Sequence, residues 1–300
     1  MPEPKPFLRW AGGKRQLLPI IHASLPKDFS IQENRFFEPF LGGGAMMFSL
    51  SGLFGVPSSS GQIIVNDVNP DLTNVYETLK SDCETLILLL RELASKNSED
   101  FFYSVRGSVP DTPAERAARM IYLNRTCFNG LYRVNRAGEF NVPWGKLSNP
   151  KICDDQLLRD VSIWLKKVQI RNGGFAAAIE DSREGDVVYL DPPYLPLSLT
   201  SKFSRYAVDD FLTLDHYALA GVIRGLSNKG VRVILSNSNT PLTRAIYGSE
   251  INLRTLNVTR SISAKSSSRG SVEEVLGLTY PVKDCRNPRL VYSLPRITEF

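Results

Sequence analysis

Short apolar runs that stop abruptly at polar or turn-forming residues recur along the chain and alternate with stretches of helical spacing. Residues 35–44, RFFEPFLGGG, are an apolar run closed by three glycines, and AMMFSLSGLFG follows with the composition of a helix start. This predicts a strand, a tight turn and a helix. QIIVND at 62–67 is a second β-branched run, ended by Asp67 and the turn-favouring Asn69-Pro70. DLTNVYETLK at 71–80 and DCETLILLLRELASK at 82–96 place apolar residues at mixed three- and four-residue spacing, which predicts helices. Beyond them the alternation is lost.

Two later runs resume the pattern. GDVVYLDPPY at 185–194 is a strand broken by two prolines, and GVRVILSNSN at 230–239 is an apolar strand ending in polar residues, after a helix-like LDHYALAGVIRGLSNKG at 214–230. Strands alternating with helices predict an α/β fold with a mostly parallel sheet, whose ligands collect at the carboxyl ends of the strands. The glycines, Asp67 and residues 191–194 all lie at such ends. Residues 124–147, NRTCFNGLYRVNRAGEFNVPWGKL, differ in kind: rich in Asn, Gly and Arg, interleaved with aromatics, and carrying NG and AG turn signals. They predict a hairpin-bearing subdomain. No internal repeat is apparent, and RSISAKSSSRGS at 260–271 is a basic serine stretch.

Three hundred residues favour one catalytic core with an inserted subdomain. No run approaches the roughly 18–20 apolar residues that span a bilayer, and the first residues carry no apolar signal segment, so the expected location is cytoplasmic. The four cysteines form no CxxC pair and there are two histidines, so neither a zinc site nor a disulfide framework is expected. Carboxylates, amides, aromatics and backbone are left to do the chemistry. A net charge of +5 is compatible with a polyanionic partner without identifying one.

Phe40-Leu-Gly42-Gly43-Gly44, directly after a strand, lets a ligand approach the backbone where a side chain would obstruct it, although a plain β-to-α turn would use the same glycines. Asp67 ends the next strand, where a carboxylate can accept from both hydroxyls of a ribose; a helix cap or solvated turn acid is the alternative. The glycines follow neither GxGxxG nor GxxxxGK[ST] spacing, which argues against NAD and ATP and for an adenosine-containing ligand without phosphates. Asp191-Pro192-Pro193-Tyr194 is the most specific element. Two prolines remove two backbone donors and fix φ, so the chain leaves the strand with carbonyls available as acceptors. Asp191 adds a carboxylate and Tyr194 a ring that can stack on a nucleobase. The set suits an exocyclic amine, whose N–H donors it would take up while aiming the nitrogen lone pair at an electrophile.

With these motifs the chain resembles the Dam-type family of DNA adenine-N6 methyltransferases, the D12 class, in its α-group order. The resemblance runs from Phe7 to about Pro281 and rests on Phe7-Leu-Arg-Trp-Ala-Gly-Gly-Lys14, Glu38-Pro-Phe-Leu-Gly-Gly-Gly44, Asn66-Asp67, Leu123-Asn-Arg125, Phe128-Asn-Gly-Leu131, Gly138-Glu-Phe-Asn-Val-Pro143, Asp191-Pro-Pro-Tyr-Leu-Pro-Leu-Ser198 and Arg260-Ser-Ile-Ser263. It implies a Rossmann-like methyltransferase core with a mixed, mostly parallel sheet flanked by helices, formed by residues 1–70 and 156–300. A helical and β-hairpin DNA-recognition domain at 71–155 would be inserted in it. S-adenosylmethionine would be the cofactor, without a metal, lined by Trp10, Ala11, Lys14, Phe40, Gly42, Gly44, Asp67, Phe175 and Asp191. Asp191, Pro192, Pro193 and Tyr194 would hold a flipped-out adenine.

Double-stranded DNA is the implied partner, and a cognate restriction endonuclease is a second partner class open to such an enzyme. Arg133 would read a guanine; Leu131 and Pro143 would touch a thymine methyl. Arg9 lies where the family usually has a lysine contacting the outer guanine, so GATC is the expected sequence. Arg125, Asn129, Asn135 and Lys146 complete the DNA-binding set in the insert, and Arg260, Lys265 and Arg269 would clamp phosphates. Two departures stand out. Leu147 replaces a tyrosine that wedges beside the site, and Thr126-Cys127-Phe128 lacks the family's aromatic richness, which leaves Cys127 a packing role. The rival functions are methylation of another exocyclic amine, RNA adenine N6 or cytosine N4, and a non-catalytic DNA-binding module.

Overall fold

The computed structural model describes residues 4–10, 14, 16–59, 61–195, 211–259 and 271–295. Its helices are α1 (Leu18–Ser24), α2 (Ala45–Phe54), α3 (Pro70–Ser81), α4 (Cys83–Ser95), α5 (Glu99–Gly107), α6 (Pro113–Thr126), α7 (Asp155–Leu165), α8 (Phe175–Ala178), α9 (Thr213–Asn228), α10 (Pro241–Tyr247) and α11 (Pro288–Tyr292). The strands are β1 (Phe36–Glu38), β2 (Ile63–Asp67), β3 (Val168–Asn172), β4 (Val187–Leu190), β5 (Arg232–Ser238), β6 (Asn252–Thr259) and β7 (Ser271–Leu278). Among the described residues no helix is long and apolar enough to cross a membrane. The chain forms two compact units: residues 4–10 with Leu41–Ala178, and residues 14–40 with 179–195 and 211–295. In the first unit β3 and β2 are neighbours, and in the second the order is β1-β4-β5-β7-β6. These are the mixed, mostly parallel strands with flanking helices that the alternation and the resemblance predict.

In the first unit β2 and β3 pair in parallel from Ile63↔Val168 to Asp67↔Asn172. Helix α3 starts where Asn69 caps it, its side chain accepting from the Asp71 and Leu72 N–H groups, with Pro70 preset for the first turn. Leu72, Val75, Tyr76 and Leu79 recur at i, i+3, i+4 and i+7 and are all buried; α3 packs on α6 and α7, and α4 on α6. Helices α5 and α6 fill the stretch where sequence alternation disappears. Ser98 caps α5 and a Thr112/Glu115 capping box with Pro113 opens α6.

The expected hairpin follows α6. Antiparallel bridges join Cys127 to Trp144 and Val134 to Phe140. Asn129-Gly130 takes left-handed φ values of 55° and 63°, and Gly138 supplies φ 79° at the hairpin tip.

In the second unit β4 lies between parallel neighbours, Val187 facing Phe36 on β1 and Arg232 on β5. All four β4 residues are buried, which explains the unbroken apolar run VVYL. Antiparallel β7 and β6 follow β5. Asp186, at the foot of β4, is buried. It accepts from the Arg35 guanidinium at 2.8 and 3.1 Å and from the Arg35 backbone N–H at 2.9 Å, fixing the β1 and β4 entries to each other.

Candidate active site

In the first unit the glycine turn and the end of β2 are one hydrogen-bonded structure. The Gly42 N–H donates to Asp67 Oδ2 at 2.9 Å, the Asn69 N–H to Oδ1 at 3.0 Å, and the Leu41 N–H to the Asn66 carbonyl at 2.9 Å. A carboxylate offers about four lone-pair positions, so both Asp67 oxygens keep capacity for a pair of vicinal hydroxyls. Burial pushes the Asp67 carboxyl above the usual carboxylate range, opposed by the Asn69, Gly42 and Val68 N–H groups. Because Asn69 caps α3, Asp67 is not the helix cap that the sequence left open.

Gly42 (φ 49°) and Gly44 (φ 69°) are both left-handed. A Cβ on Gly42 would stand 2.9 Å from Trp10 Cδ1, and one on Gly44 would stand 3.0 Å from the Tyr76 hydroxyl. Trp10 thus roofs the turn, and its ring stacks on Tyr132 at 5.4 Å and 29°. Phe175 begins α8 beside the β2 end, where Asn66 Nδ2 donates to the Gly173 carbonyl at 3.0 Å and Asn172 Nδ2 to that of Asp67 at 2.9 Å. Four of the predicted cofactor residues, Trp10, Gly42, Gly44 and Asp67, meet here; Ala11 lies outside the described residues.

The same unit carries the predicted DNA contacts. Arg9 is exposed, while its backbone is held by Asn124: the Arg9 N–H donates to Oδ1 at 2.8 Å, and Nδ2 donates to the Arg9 carbonyl at 2.7 Å and to that of Gly130 at 3.0 Å. Asn124, within Leu123-Asn-Arg125, thus positions the Arg9 backbone, a role that its local sequence does not signal. Arg125 is half-buried and gives its Nε–H to the Lys151 carbonyl at 2.6 Å. Asn129, Leu131, Arg133, Pro143 and Lys146 are exposed, and Arg133 donates through Nε to Asn141 Oδ1 at 2.6 Å. Asn135 builds the hairpin tip, accepting from the Ala137 and Glu139 N–H groups.

The interleaved aromatics serve as framework more than as surface. Phe140 is buried, Tyr132 lies against Trp10, and Trp144 packs on Phe102 at 5.2 Å. Cys127 is buried, with its thiol 3.2 Å from the Leu131 carbonyl. Arg260, Lys265 and Arg269 lie outside the described residues.

In the second unit Asp191, Pro192, Pro193 and Tyr194 leave β4 over the polar end of β5. The Ser236 hydroxyl donates to Asp191 Oδ1 at 2.8 Å, and Lys14 Nζ stands 3.0 Å from the same oxygen. Lys14 also lies 4.2 Å from the centre of the Tyr194 ring. Burial drives the Asp191 carboxyl above its ordinary range, with Lys14 and Ser236 pulling the other way. The loop exit is clamped too: the Leu195 N–H donates to Asn237 Oδ1 at 3.3 Å and Ser238 Oγ to the Leu195 carbonyl at 2.7 Å.

Phe40 meets Phe211 edge-on at 5.5 Å, and Phe211 meets the buried His216 at 4.7 Å. His216 donates to the Pro193 carbonyl, and its Nδ1 lies 2.7 Å from the Tyr247 hydroxyl. Local sequence does not signal the roles of Ser236, Asn237 and His216, whose partners are distant: Ser236 reaches Asp191 across 45 residues and Asn237 reaches Leu195 across 42.

Arranged in this way, the loop holds a fixed carboxylate beside an aromatic face, a pair able to accept from an amine and to stack on a planar ring. Comparison with known proteins agrees with that chemistry. The family described as D12 class N6 adenine-specific DNA methyltransferase matches residues 10–262. The Type II methyltransferase M1.LlaDCHI of Lactococcus lactis subsp. cremoris is 41% identical over 92% of this chain and 95% of its own length. The Type II methyltransferase M.MjaIII of Methanocaldococcus jannaschii is 38% identical over 93% and 100%. The DNA adenine methylase of Escherichia coli K12 is 33% identical over 94% and 97%. The chain therefore belongs to the D12 class of N6 adenine-specific DNA methyltransferases.

Proposed function

We propose that this enzyme moves the methyl group of S-adenosylmethionine to N6 of an adenine turned out of double-stranded DNA, within GATC. The observation that carries the reading is the Asp191–Tyr194 loop, with its carboxylate fixed by Ser236 and Lys14 and its ring held beside it. Trp10, Ala11, Lys14, Phe40, Gly42, Gly44, Asp67, Phe175 and Asp191 are the proposed cofactor residues. The reading is supported by the glycine turn, which is roofed by the Trp10 ring and closed against Asp67, whose carboxylate keeps acceptors for ribose hydroxyls. When bound, S-adenosylmethionine supplies an electrophilic sulfonium methyl.

The Asp191 carboxylate and the Pro192 carbonyl accept the two amine N–H groups and aim the nitrogen lone pair, while Tyr194 stacks on the base. Rate acceleration then comes from orientation and from acceptors that favour positive charge growing on the nitrogen. Extrusion costs a few kcal/mol of unstacking, offset by these contacts. Residues 71–155 are the proposed recognition domain and 1–70 with 156–300 the catalytic one. Arg133 and Arg9 read guanine, Leu131 and Pro143 meet thymine methyl groups, and Arg125, Asn129, Asn135, Lys146, Arg260, Lys265 and Arg269 hold the duplex.

The test is methyl transfer from labelled S-adenosylmethionine to two duplexes, identical except that one contains GATC and the other GTTC, followed by nucleoside analysis. Label recovered as N6-methyladenine from the GATC duplex alone is the expected result. Label in both removes the sequence assignment and keeps the chemistry; label in neither overturns the proposal.

A further inference from the structure

Glu274 lies on β7 at the i, i+2, i+4 spacing that puts it on one face with Leu276 and Leu278, and all three are buried. An apolar side chain is the default at such a position. A buried carboxylate there is unfavourable unless a donor meets it, and the Tyr194 hydroxyl gives a 2.8 Å hydrogen bond to Glu274 Oε2. The ring is thereby held at its tip, with Lys14 4.2 Å from its centre and the following residue clamped by Asn237 and Ser238.

We infer that Glu274 is a positioning residue for methyl transfer, which acts through the Tyr194 hydroxyl to hold the ring at the angle on which the extruded adenine stacks. The inference rests on the reading that the Asp191–Tyr194 loop receives the base. A tyrosine turns about two side-chain bonds, and a ring free to turn offers the base a spread of orientations. A single bond at the phenol oxygen, the atom farthest from the backbone, removes most of that spread. Burial, Asp191 and Glu274 together raise the proton affinity of the phenol, so it stays a donor at neutral pH. The contact joins residues 80 apart in sequence, and nothing in SVEEVLGL distinguishes this acid from its exposed neighbour Glu273.

A double-mutant cycle with Glu274→Leu, Glu274→Gln and Tyr194→Phe tests it. The readouts are single-turnover methyl transfer to a GATC duplex, fluorescence of the same duplex carrying 2-aminopurine at the target adenine, S-adenosylmethionine affinity, and melting temperature. Glu274→Leu and Tyr194→Phe are each expected to slow transfer about tenfold and reduce the fluorescence gain, with cofactor affinity held within about twofold. The pair together should be no slower than either alone, as two ends of one contact must be. Glu274→Gln keeps an acceptor and should slow transfer only about threefold.

Additive losses in the double variant, or Glu274→Gln as slow as Glu274→Leu, would overturn the role. Should Glu274→Leu fail to fold, Tyr194→Phe decides alone, since transfer at the unaltered rate excludes any function for the phenol contact. Tyr194→Ala separates the two layers of argument. If it abolishes transfer while Tyr194→Phe and Glu274→Leu transfer at the unaltered rate, this inference fails and the stacking role stands; if Tyr194→Ala is harmless, the stacking role falls and the inference with it.

Discussion

Lys14 Nζ stands 3.0 Å from Asp191 Oδ1, a pair with side chains 9% and 18% exposed, so the carboxylate proposed to orient the target amine is buried beside one fixed cation. Asp191→Ala is expected to lower single-turnover transfer by at least about a hundredfold while DNA binding stays measurable. The cation also opposes the effect of burial on the Asp191 carboxyl. Burial raises the Asp191 pKa, so the carboxylate takes up its proton at higher pH than a surface aspartate and transfer declines earlier on the acid side. Lys14→Met removes the opposing influence and should move that acid limb to still higher pH when cofactor is saturating. A pH–rate profile decides: an unmoved limb means that Asp191 is not the group titrating.

Asp67 makes a different demand, because it already serves the Gly42 and Asn69 N–H groups, with that of Val68 also favouring its charged form. Asp67→Ala strands the Gly42 and Asn69 N–H groups, at a cost of roughly 1–3 kcal/mol for each group left without an acceptor. It should also weaken S-adenosylhomocysteine binding by more than about tenfold. Calorimetric titration and thermal melting report the two effects separately. A variant that melts lower yet binds the nucleoside with full affinity would leave Asp67 a structural role only.

The parts of this site that were legible from sequence are those that announce themselves locally. VVYL reads as a buried strand because four consecutive apolar residues line both faces of β4, and the Pro-Pro pair after it has little use except to break the ladder and bare acceptors. Residues whose role is made by distant contacts stayed hidden. Ser236 and Glu274 reach Asp191 and Tyr194 across 45 and 80 residues, and β7 looks too acidic for a buried strand until its partner is seen. Helices α5 and α6 were missed for another reason. Their capping signals at Ser98 and at Thr112-Pro113 with Glu115 were present, but α6 is buried along so much of its circumference that a single apolar stripe is absent. The aromatics of the hairpin segment give no local sign of their role: Phe140 is buried and Trp144 packs on Phe102.

His216 should couple stability to pH. It lies in the first turn of α9, where the helix dipole disfavours positive charge, and burial pushes its pKa down to about 4. Asp215 and the Pro193 carbonyl act in the opposite direction, and Phe211 and Tyr247 pack against the ring. A histidine whose folded pKa lies below its unfolded value of 6.5 contributes stability that is complete above that value and is lost as the pH falls towards 4. The loss at pH 5 relative to neutrality should be about 2 kcal/mol. His216→Gln retains hydrogen-bonding capacity without titrating, and its melting temperature should fall less between pH 7 and pH 5. Parallel curves for the two proteins would mean that other groups carry the acid sensitivity.

Arg133 and Lys146 are both exposed cations of the proposed recognition segment, and the physics of DNA contacts predicts that they fail differently. Arg133 is held to Asn141 through its Nε and Nη2, so its guanidinium starts from a fixed point on the hairpin, and the proposed pairing with guanine O6 and N7 draws on its remaining N–H groups. Arg133→Ala should cost about 1–3 kcal/mol of discrimination at that guanine and leave binding to unrelated duplexes nearly as before. Lys146, proposed as a duplex contact, can hold a phosphate as a point charge. Lys146→Ala should weaken every duplex alike and reduce the slope of log affinity against log salt by about one. Competition binding of GATC and AATC duplexes at several salt concentrations separates the two behaviours. If Arg133→Ala instead lowered affinity for both duplexes equally with a shallower salt slope, the residue would be a phosphate contact, and the guanine of the recognition sequence would have to be read from elsewhere in the segment.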